Sequence, residues 1–255
     1  MLKPKKSLGQ NFLIDKNISN KIINLVNSYN KKNIIEIGPG KGALTNIIIN
    51  KNPLSLTLIE KDNDLYNNLL IEYKKHKSVK IYNKDVLNFD FSKIPKPKII
   101  IGNLPYNISI KLIINLLKNI HEYEEIIIMI QKEVAIKMNY KNTKKMNRLN
   151  ILTSLFCDYK IEFHISKNVF FPKPKVNSSI VRLVPKEKNE YDFKKIENFT
   201  KMLFRYKRKK IINVISKEQL KFIKKNKYND IEKKLDMRAE DLTLSEIIYF
   251  FKILC

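Results

Sequence analysis

Glycine is scarce in this chain, with five residues in 255, roughly 2% where about 7% is usual. They are Gly9, Gly38, Gly40, Gly42 and Gly102. A chain that has shed glycine almost everywhere keeps it where the backbone requires it: in a lead-in arm, one three-glycine loop and one strand end. Cys157 and Cys255 are the only cysteines. They form no disulfide framework, so a reducing compartment is expected. His76, His121 and His164 stand apart, without metal-ligand spacing among themselves or with the cysteines, and no metal site is expected. Tryptophan is absent. No run of about 18 apolar residues occurs, and the basic start, residues 1–10, has no apolar signal segment. These absences predict a soluble protein that is not secreted, cytoplasmic or, in a eukaryotic host, in an organelle lumen. Acidic residues are the last shortage: 25 against 50 Lys and Arg, for a net charge of +25. Only Arg148, Arg182, Arg205, Arg208 and Arg238 are arginines. Abundant Lys, Ile and Asn look like the bias of an A+T-rich genome, but the field acts whatever its origin. It points to a polyanion, and to nucleic acid before a membrane surface, since no lone basic amphipathic helix stands out.

The length suits one large domain or one domain with a small appendage. Residues 1–14 read as a basic arm with an apolar end. Asp15 caps a helix whose Ile18, Ile22, Ile23 and Val26 share a face. Strands are predicted at about 33–37, 54–59, 79–82, 98–101 and 126–130, alternating with helices at 43–50, 62–75 and 109–118. That alternation predicts an α/β fold, a parallel sheet with helices on both faces. Helical patterns follow at 132–139 and 148–156, then strands at 160–166 and 178–184. Residues 185–190 form a charged linker, and 192–255 read as helical. The expected domains are 1–186 and a smaller all-helical 187–255.

Two stretches carry chemistry. The first is Glu36-Ile37-Gly38-Pro39-Gly40, a strand running into a glycine loop and then a helix, in outline a nucleotide cradle. No Lys-Ser/Thr pair follows, so it is not a P-loop, and Ala43 stands where a dinucleotide fingerprint often has its third glycine. Glu60 ends the second strand, where a carboxylate can accept from both ribose hydroxyls, and Asp85 lies just past the third, within reach of an adenine amino group. The plain alternative is that both acids merely end strands in solvent. An acid before the loop suits a cofactor with a cationic, amino-acid-like end, which favours S-adenosylmethionine over NAD. The second stretch is Ile99 to Asn107. A buried apolar strand ends at Gly102 and leads into Asn103-Leu104-Pro105-Tyr106, a loop stiffened by proline at the carboxyl end of a strand. An amide and an aromatic ring there can grip a planar base carrying an amino group, although the stretch by itself also reads as an ordinary turn.

Six ordered motifs then resemble one family from residue 7 to about 250. They are Ser7-Leu8-Gly9-Gln10-Asn11-Phe12-Leu13, the 36–40 loop, Gly102 to Ser109, Gln131 to Ala135, Phe171 to Ser178 and Met237 to Leu242. Together they resemble the small-subunit rRNA adenine N6,N6-dimethyltransferases, whose loss gives kasugamycin resistance in bacteria. The resemblance implies a Rossmann-like methyltransferase sheet, S-adenosylmethionine as cofactor, and small-subunit rRNA in the subunit or its precursor as partner. It implies cofactor contacts from Asn11, Leu13, Gly38, Glu60, Asp85 and Asn103. Asn103, Leu104, Pro105 and Tyr106 would carry the transfer. The stacking aromatics would be Tyr106 and Phe170, with Phe171 competing for the second role. Phosphate contacts are expected from Lys3, Lys5 and Lys6 of the arm, from Lys173 and Lys175, and from Arg205, Lys207, Arg208, Lys209 and Lys210. A monomer without membrane attachment is expected. The chain departs from the family at Met146-Asn147-Arg148-Leu149-Asn150, where a glycine is usual, and in its preference for lysine over arginine in the basic run. Competing readings are a large-subunit dimethylase of the macrolide-resistance type, which usually has Ile at the Leu104 position, a non-catalytic ribosome-assembly factor, and, remotely, an NAD enzyme.

Overall fold

The computed structural model describes residues 4–139, 145–187, 190–206 and 208–255. The chain divides into two compact units, Met1–Ala135 with Cys157–Pro185, and Ile136–Phe156 with Lys186–Cys255.

The first unit is built on a seven-stranded sheet. Its strands are β2 (Asn33–Ile37), β3 (Ser55–Glu60), β4 (Val79–Asn83), β5 (Lys98–Asn103), β6 (Glu125–Gln131), β7 (Cys157–Ile165) and β9 (Ser178–Pro185), in the order β4-β3-β2-β5-β6-β9-β7. The five strands from β4 to β6 are parallel, and β9 and β7 add antiparallel at one side. All five residues of β2 and the first five of β5 are buried, as expected for strands covered on both faces. Strand order reverses between β2 and β5, the point in such sheets where ligands bind past the carboxyl ends. The helices following these strands are α2 (Thr45–Ile49), α3 (Asn63–Glu72) and α4 (Ser109–Lys118), and α1 (Lys16–Ile23) precedes them. Asp15 caps α1 and Asp62 caps α3, each accepting from two backbone N–H groups of the first turn. Helix α2 is shorter than the predicted 43–50, because the turn entered at Gly40 runs through Leu44 before helical bonding begins.

A second pairing joins the arm to the far side of the chain. Short strand β1 (Phe12–Leu13) lies antiparallel to β8 (Phe170–Phe171), with Phe12 opposite Phe171 and Leu13 opposite Phe170.

The second unit is helical, with α6 (Arg148–Phe156), α7 (Phe193–Leu203), α8 (Lys217–Lys225), α9 (Asn229–Glu232) and α10 (Leu244–Leu254). Helix α5 (Lys132–Met138) crosses the division between the units. Residues 136–156 group with this unit rather than with the sheet. Phe156 stacks edge-on with Phe193 at 4.9 Å, and Arg148 reaches Glu197 at 3.6 Å. The chain crosses between the units after Ala135, after Phe156 and after Pro185, and only the last of these three lies beside the boundary read from the sequence, because helical periodicity alone does not say which core a helix joins.

Candidate active site

The sheet brings the sequence-selected residues to one edge. Gly38 follows β2, and its N–H donates to the Ile59 carbonyl at 3.0 Å. Its φ is +65°, and a Cβ there would sit 3.3 Å from the Asn103 carbonyl oxygen, so a side chain would be both strained and crowded. The glycine loop therefore lies directly against the end of β5. An open pocket of about 170 Å³ forms there, lined by the loop, by the ends of β3 and β5 and by the arm, with Asp85 and Val86 beyond β4.

Three carboxylates stand at this edge on neighbouring strands, Glu36 on β2, Glu60 ending β3 and Asp85 just past β4. Glu36 is buried and accepts from Thr45 Oγ1 at 2.7 Å. Burial pushes its carboxyl up to about 8, against the Thr45 hydrogen bond, and the Glu60 charge pushes the same way. Glu60 accepts from Gly40 N at 3.2 Å and from Asp62 N at 2.9 Å. Burial raises its pKa, and those two hydrogen bonds oppose the rise. Asp85 is held below the usual carboxylate range by Lys61, whose Nζ lies 2.9 Å away, and by Leu87 N. Sequence reasoning missed Lys61. The parity of the strand end put it next to Glu60, but its partner lies 24 residues on, across a strand pair.

Glu36 yields a pH test. Between the ordinary carboxylate pKa of 4.5 and about 8, the native protein holds a proton that the unfolded chain has released. Its contribution to stability therefore falls as pH rises through that window and levels off above it. The difference in unfolding free energy between Glu36→Gln and the parent, measured without cofactor, should shift in the variant's favour by about 2–4 kcal/mol from pH 5 to pH 8. Parallel pH curves would show Glu36 ionised in the native state.

Asn103 ends β5 with its side-chain Nδ2 donating to the Asn11 carbonyl at 3.0 Å. A carbonyl partner requires the NH₂ end of the amide, which leaves Oδ1 as the acceptor facing elsewhere. The next residue is tied down through its N–H, which donates to Met129 O on β6 at 3.1 Å. Leu104 is buried, so its side chain packs while its backbone shapes the loop. Tyr106 is half-buried, with its hydroxyl 2.7 Å from Ser178 Oγ and its carbonyl accepting from Ser109 Oγ at 3.1 Å. Burial raises the Tyr106 pKa and the Ser178 contact moderates the rise, so the ring is neutral at physiological pH. Ser178 was recognised only as part of a motif, and only the fold shows that it anchors this ring.

The arm supplies the remaining wall. Asn11 Nδ2 donates to Gly9 O at 3.1 Å, and the Phe12 ring packs against Gly40. Leu13 and Asn11 both line the pocket, Leu13 as part of the buried core. Phe170, expected to stack on a base, is only 3% exposed and joins the core beside Leu13. Phe171 is 58% exposed. With the arm in this position the Phe171 ring is open to solvent, whereas the Phe170 ring is covered by packing. Phe170→Ala should accordingly cost about 3–5 kcal/mol of stability, and Phe171→Ala under about 1 kcal/mol, in denaturant unfolding. Equal losses would place both rings in the core.

The expected phosphate contacts sort unevenly. Lys173 and Lys175 are exposed on the loop between β8 and β9. Arg205, Arg208, Lys209 and Lys210 are exposed on the helical unit, with Arg205 and Lys209 over the Tyr206 ring at 5.3 and 4.7 Å. Lys210 also pairs with Asp236 at 2.9 Å, a surface pair of little strength. Lys3 and Lys207 lie outside the described residues. Lys5 departs from expectation: its Nζ binds Asp62 at 3.0 Å and Asp64 at 2.7 Å, so its charge is directed into the fold and away from a phosphate. Among the described residues no cluster of three or more His, Cys, Asp or Glu is placed to share a metal ion.

The donor set fits S-adenosylmethionine. Glu60 and Asp85 carry carboxylate oxygens able to accept from hydroxyl and amino groups, and Ile59, Val86 and Ile108 supply apolar walls. Comparison with known proteins agrees. The family model for ribosomal RNA adenine dimethylase matches residues 1–254. A small-subunit rRNA methyltransferase A from a Wolbachia of Drosophila simulans is 40% identical over 220 residues, covering 84% of this chain and 80% of the relative. Its counterpart from Coxiella burnetii is 34% identical over 98% of this chain and 97% of its own length. Among solved structures, a dimethyladenosine transferase from Plasmodium falciparum superposes with a TM-score of 0.75 at 24% identity, over 93% of this chain and 95% of that one. The 23S rRNA methyltransferase ErmE superposes with a TM-score of 0.72 at 20% identity, over 95% and 99%. Those two likenesses bear on the fold, a Rossmann-like methyltransferase sheet. With the model matched over nearly the whole length and the sheet, pocket and motif loop in agreement, the chain belongs to the ribosomal RNA adenine dimethylase family.

Proposed function

We propose that this protein transfers methyl groups from S-adenosylmethionine to the N6 amino groups of two adjacent adenosines in a 3′-terminal hairpin loop of small-subunit rRNA. The observation that carries the reading is the Asn103 amide. Its nitrogen is committed to the Asn11 carbonyl, so its oxygen is the acceptor beside a pocket edged by Glu36, Glu60 and Asp85.

The bound cofactor supplies an electrophilic methyl carbon on a sulfonium. The chain's own residues do the positioning. The lone pair of an adenine amino group is delocalised into the ring, which makes it a weak nucleophile. Asn103 Oδ1 and the Leu104 carbonyl accept the two N6 hydrogens and favour the pyramidal nitrogen whose lone pair points at the methyl carbon. Alignment of this kind contributes several kcal/mol. Tyr106 stacks on the base, worth roughly 1–3 kcal/mol, and its electron-rich face favours the charge that builds on nitrogen. No strong base is needed beforehand, since the proton leaves after the nitrogen becomes cationic. Pro105 keeps Leu104 and Tyr106 in register. The target adenosine must be looped out to enter.

The helical unit, with Arg205, Lys207, Arg208, Lys209 and Lys210, and the loop carrying Lys173 and Lys175 bind the phosphate backbone. The protein acts as a monomer on the small subunit or its precursor. It works in the cytoplasm or an organelle lumen, where small subunits are assembled; no helix among the described residues is long and apolar enough to cross a membrane. The test is incubation with unmodified small subunits and labelled S-adenosylmethionine, followed by mapping of modified bases. Dimethyladenosine in small-subunit RNA is the expected result. Label confined to large-subunit RNA would favour the macrolide-resistance type, and cofactor binding without label would favour an assembly factor.

A further inference from the structure

The arm is fastened at both ends, by different forces. At its far end Leu13 pairs with Phe170 and Ile14 N donates to Val169 O at 3.0 Å, next to buried apolar packing. At its near end Lys5 Nζ meets Asp62 Oδ1 at 3.0 Å and Asp64 Oδ2 at 2.7 Å, while Gln10 Nε2 donates to Asp62 Oδ2 at 2.8 Å. Gln10 is itself oriented, because its Oε1 accepts from Lys5 N at 2.7 Å. Asp62 is buried, whereas the Lys5 side chain is 43% exposed, so the near fastening is ionic and open to solvent. Asp62 does not line the pocket; Leu8, Asn11 and Phe12, between the two fastenings, do. The Asn11 carbonyl is the acceptor that orients Asn103. A continuous run of contacts thus joins the Asp62 carboxylate, Gln10, the Asn11 backbone and the Asn103 amide.

Asp62 also caps α3, with Oδ1 accepting from Asp64 N and Leu65 N. Asparagine caps a helix as well as aspartate does. The second carboxylate oxygen is needed for the arm, since an asparagine that keeps the cap through Oδ1 would turn its NH₂ toward the Gln10 donor and leave no charge for Lys5.

We infer that Asp62 is a positioning residue for methyl transfer: it latches the arm through Lys5 and Gln10, and the latched arm holds the Asn103 amide in its working orientation. The inference rests on the proposed double methylation, which requires spent cofactor to leave and fresh cofactor to enter between two transfers to one nitrogen. A strap with one ionic, solvent-reaching end opens there while its apolar end stays in place.

The test uses the full-length protein with Asp62→Asn, Lys5→Met and the pair combined. Amide hydrogen exchange is measured without cofactor, and methylation of small subunits is followed with mono- and dimethyladenosine separated. Exchange at residues 7–12 should rise about tenfold in both single variants, as expected for loss of a charge-assisted hydrogen bond, while α3 stays protected. The double variant should lose less than the sum of the two single losses, because both remove the shared Lys5–Asp62 pair. Transfer should slow several-fold at unchanged KM for RNA. Unchanged exchange in the arm, additive effects, or faster exchange with unaltered kcat would each overturn the latch. If the parent methylates no small-subunit RNA, the proposed function fails while hydrogen exchange still decides the latch.

Discussion

Replacing Asn103 by Ala should lower methyl transfer by at least about 10²–10³-fold, the range seen when a single donor or acceptor aimed at a reacting atom is removed. Binding of small-subunit RNA should persist, because the proposed phosphate contacts lie on other segments. The expectation follows from how the side chain is held. Its amide nitrogen is spent on the Asn11 carbonyl at 3.0 Å, so its oxygen is preorganised rather than free to rotate. Alanine removes the acceptor for one N6 hydrogen and releases the arm backbone from its partner. Single-turnover rates on small subunits, with RNA affinity measured alongside, give the answer. Equal loss of transfer and of RNA binding would contradict the role given to Asn103.

The second large effect is expected one residue earlier. Gly102 pairs with Ile37 across the central parallel strands β2 and β5. A Cβ on Gly102 would lie 2.7 Å from the Ile37 carbonyl oxygen and 3.1 Å from the Ile37 Cβ. The obstacle is backbone, which cannot swing aside, so β2 and β5 must separate. Overpacking of this kind costs about 2–3 kcal/mol, or roughly 5–10 °C in a unit of this size. The damage also spreads to function, because the next residues on the two strands are Gly38 and Asn103. Gly102→Ala should therefore lose both stability and transfer, measured by thermal unfolding and by rate. A variant with the parent's stability and rate would show that the strands tolerate the added methyl.

Comparing these two residues shows what kind of information local sequence holds. Gly102 was marked by scarcity: in a chain with five glycines, one at a strand end signals a backbone demand. The demand is close approach and not an unusual dihedral, since Gly102 is not among the glycines with positive φ. Caps were legible for the same reason, being contacts within three residues. Asp15 and Asp62 both accept from first-turn N–H groups. The strands emerged with bounds within a few residues because runs of isoleucine flanked by polar residues report burial directly. Acids at the ends of β2 and β3 and just past β4 were legible because a parallel α/β sheet places every such end on one edge.

By itself, then, the sequence determined the order of the seven sheet strands and of the helices between them, the loop-and-acid cradle, the Asn-Leu-Pro-Tyr loop and, through its ordered motifs, the family, but not the β1–β8 pair. Tertiary structure decided everything that depends on which distant segments meet. It turned Lys5 inward to Asp62, 57 residues away, although every arm lysine looks alike in the sequence. It buried Phe170 and exposed Phe171, because pairing β1 with β8 sends alternate side chains to opposite faces. It moved residues 136–156 to the helical unit, since an amphipathic pattern specifies a buried face and not the core that receives it. It also joined Asn103 to a carbonyl 92 residues earlier. Contacts within a turn are written in local residue types, whereas contacts across the chain depend on chain topology, and the orientation of the Asn103 amide is of the second kind.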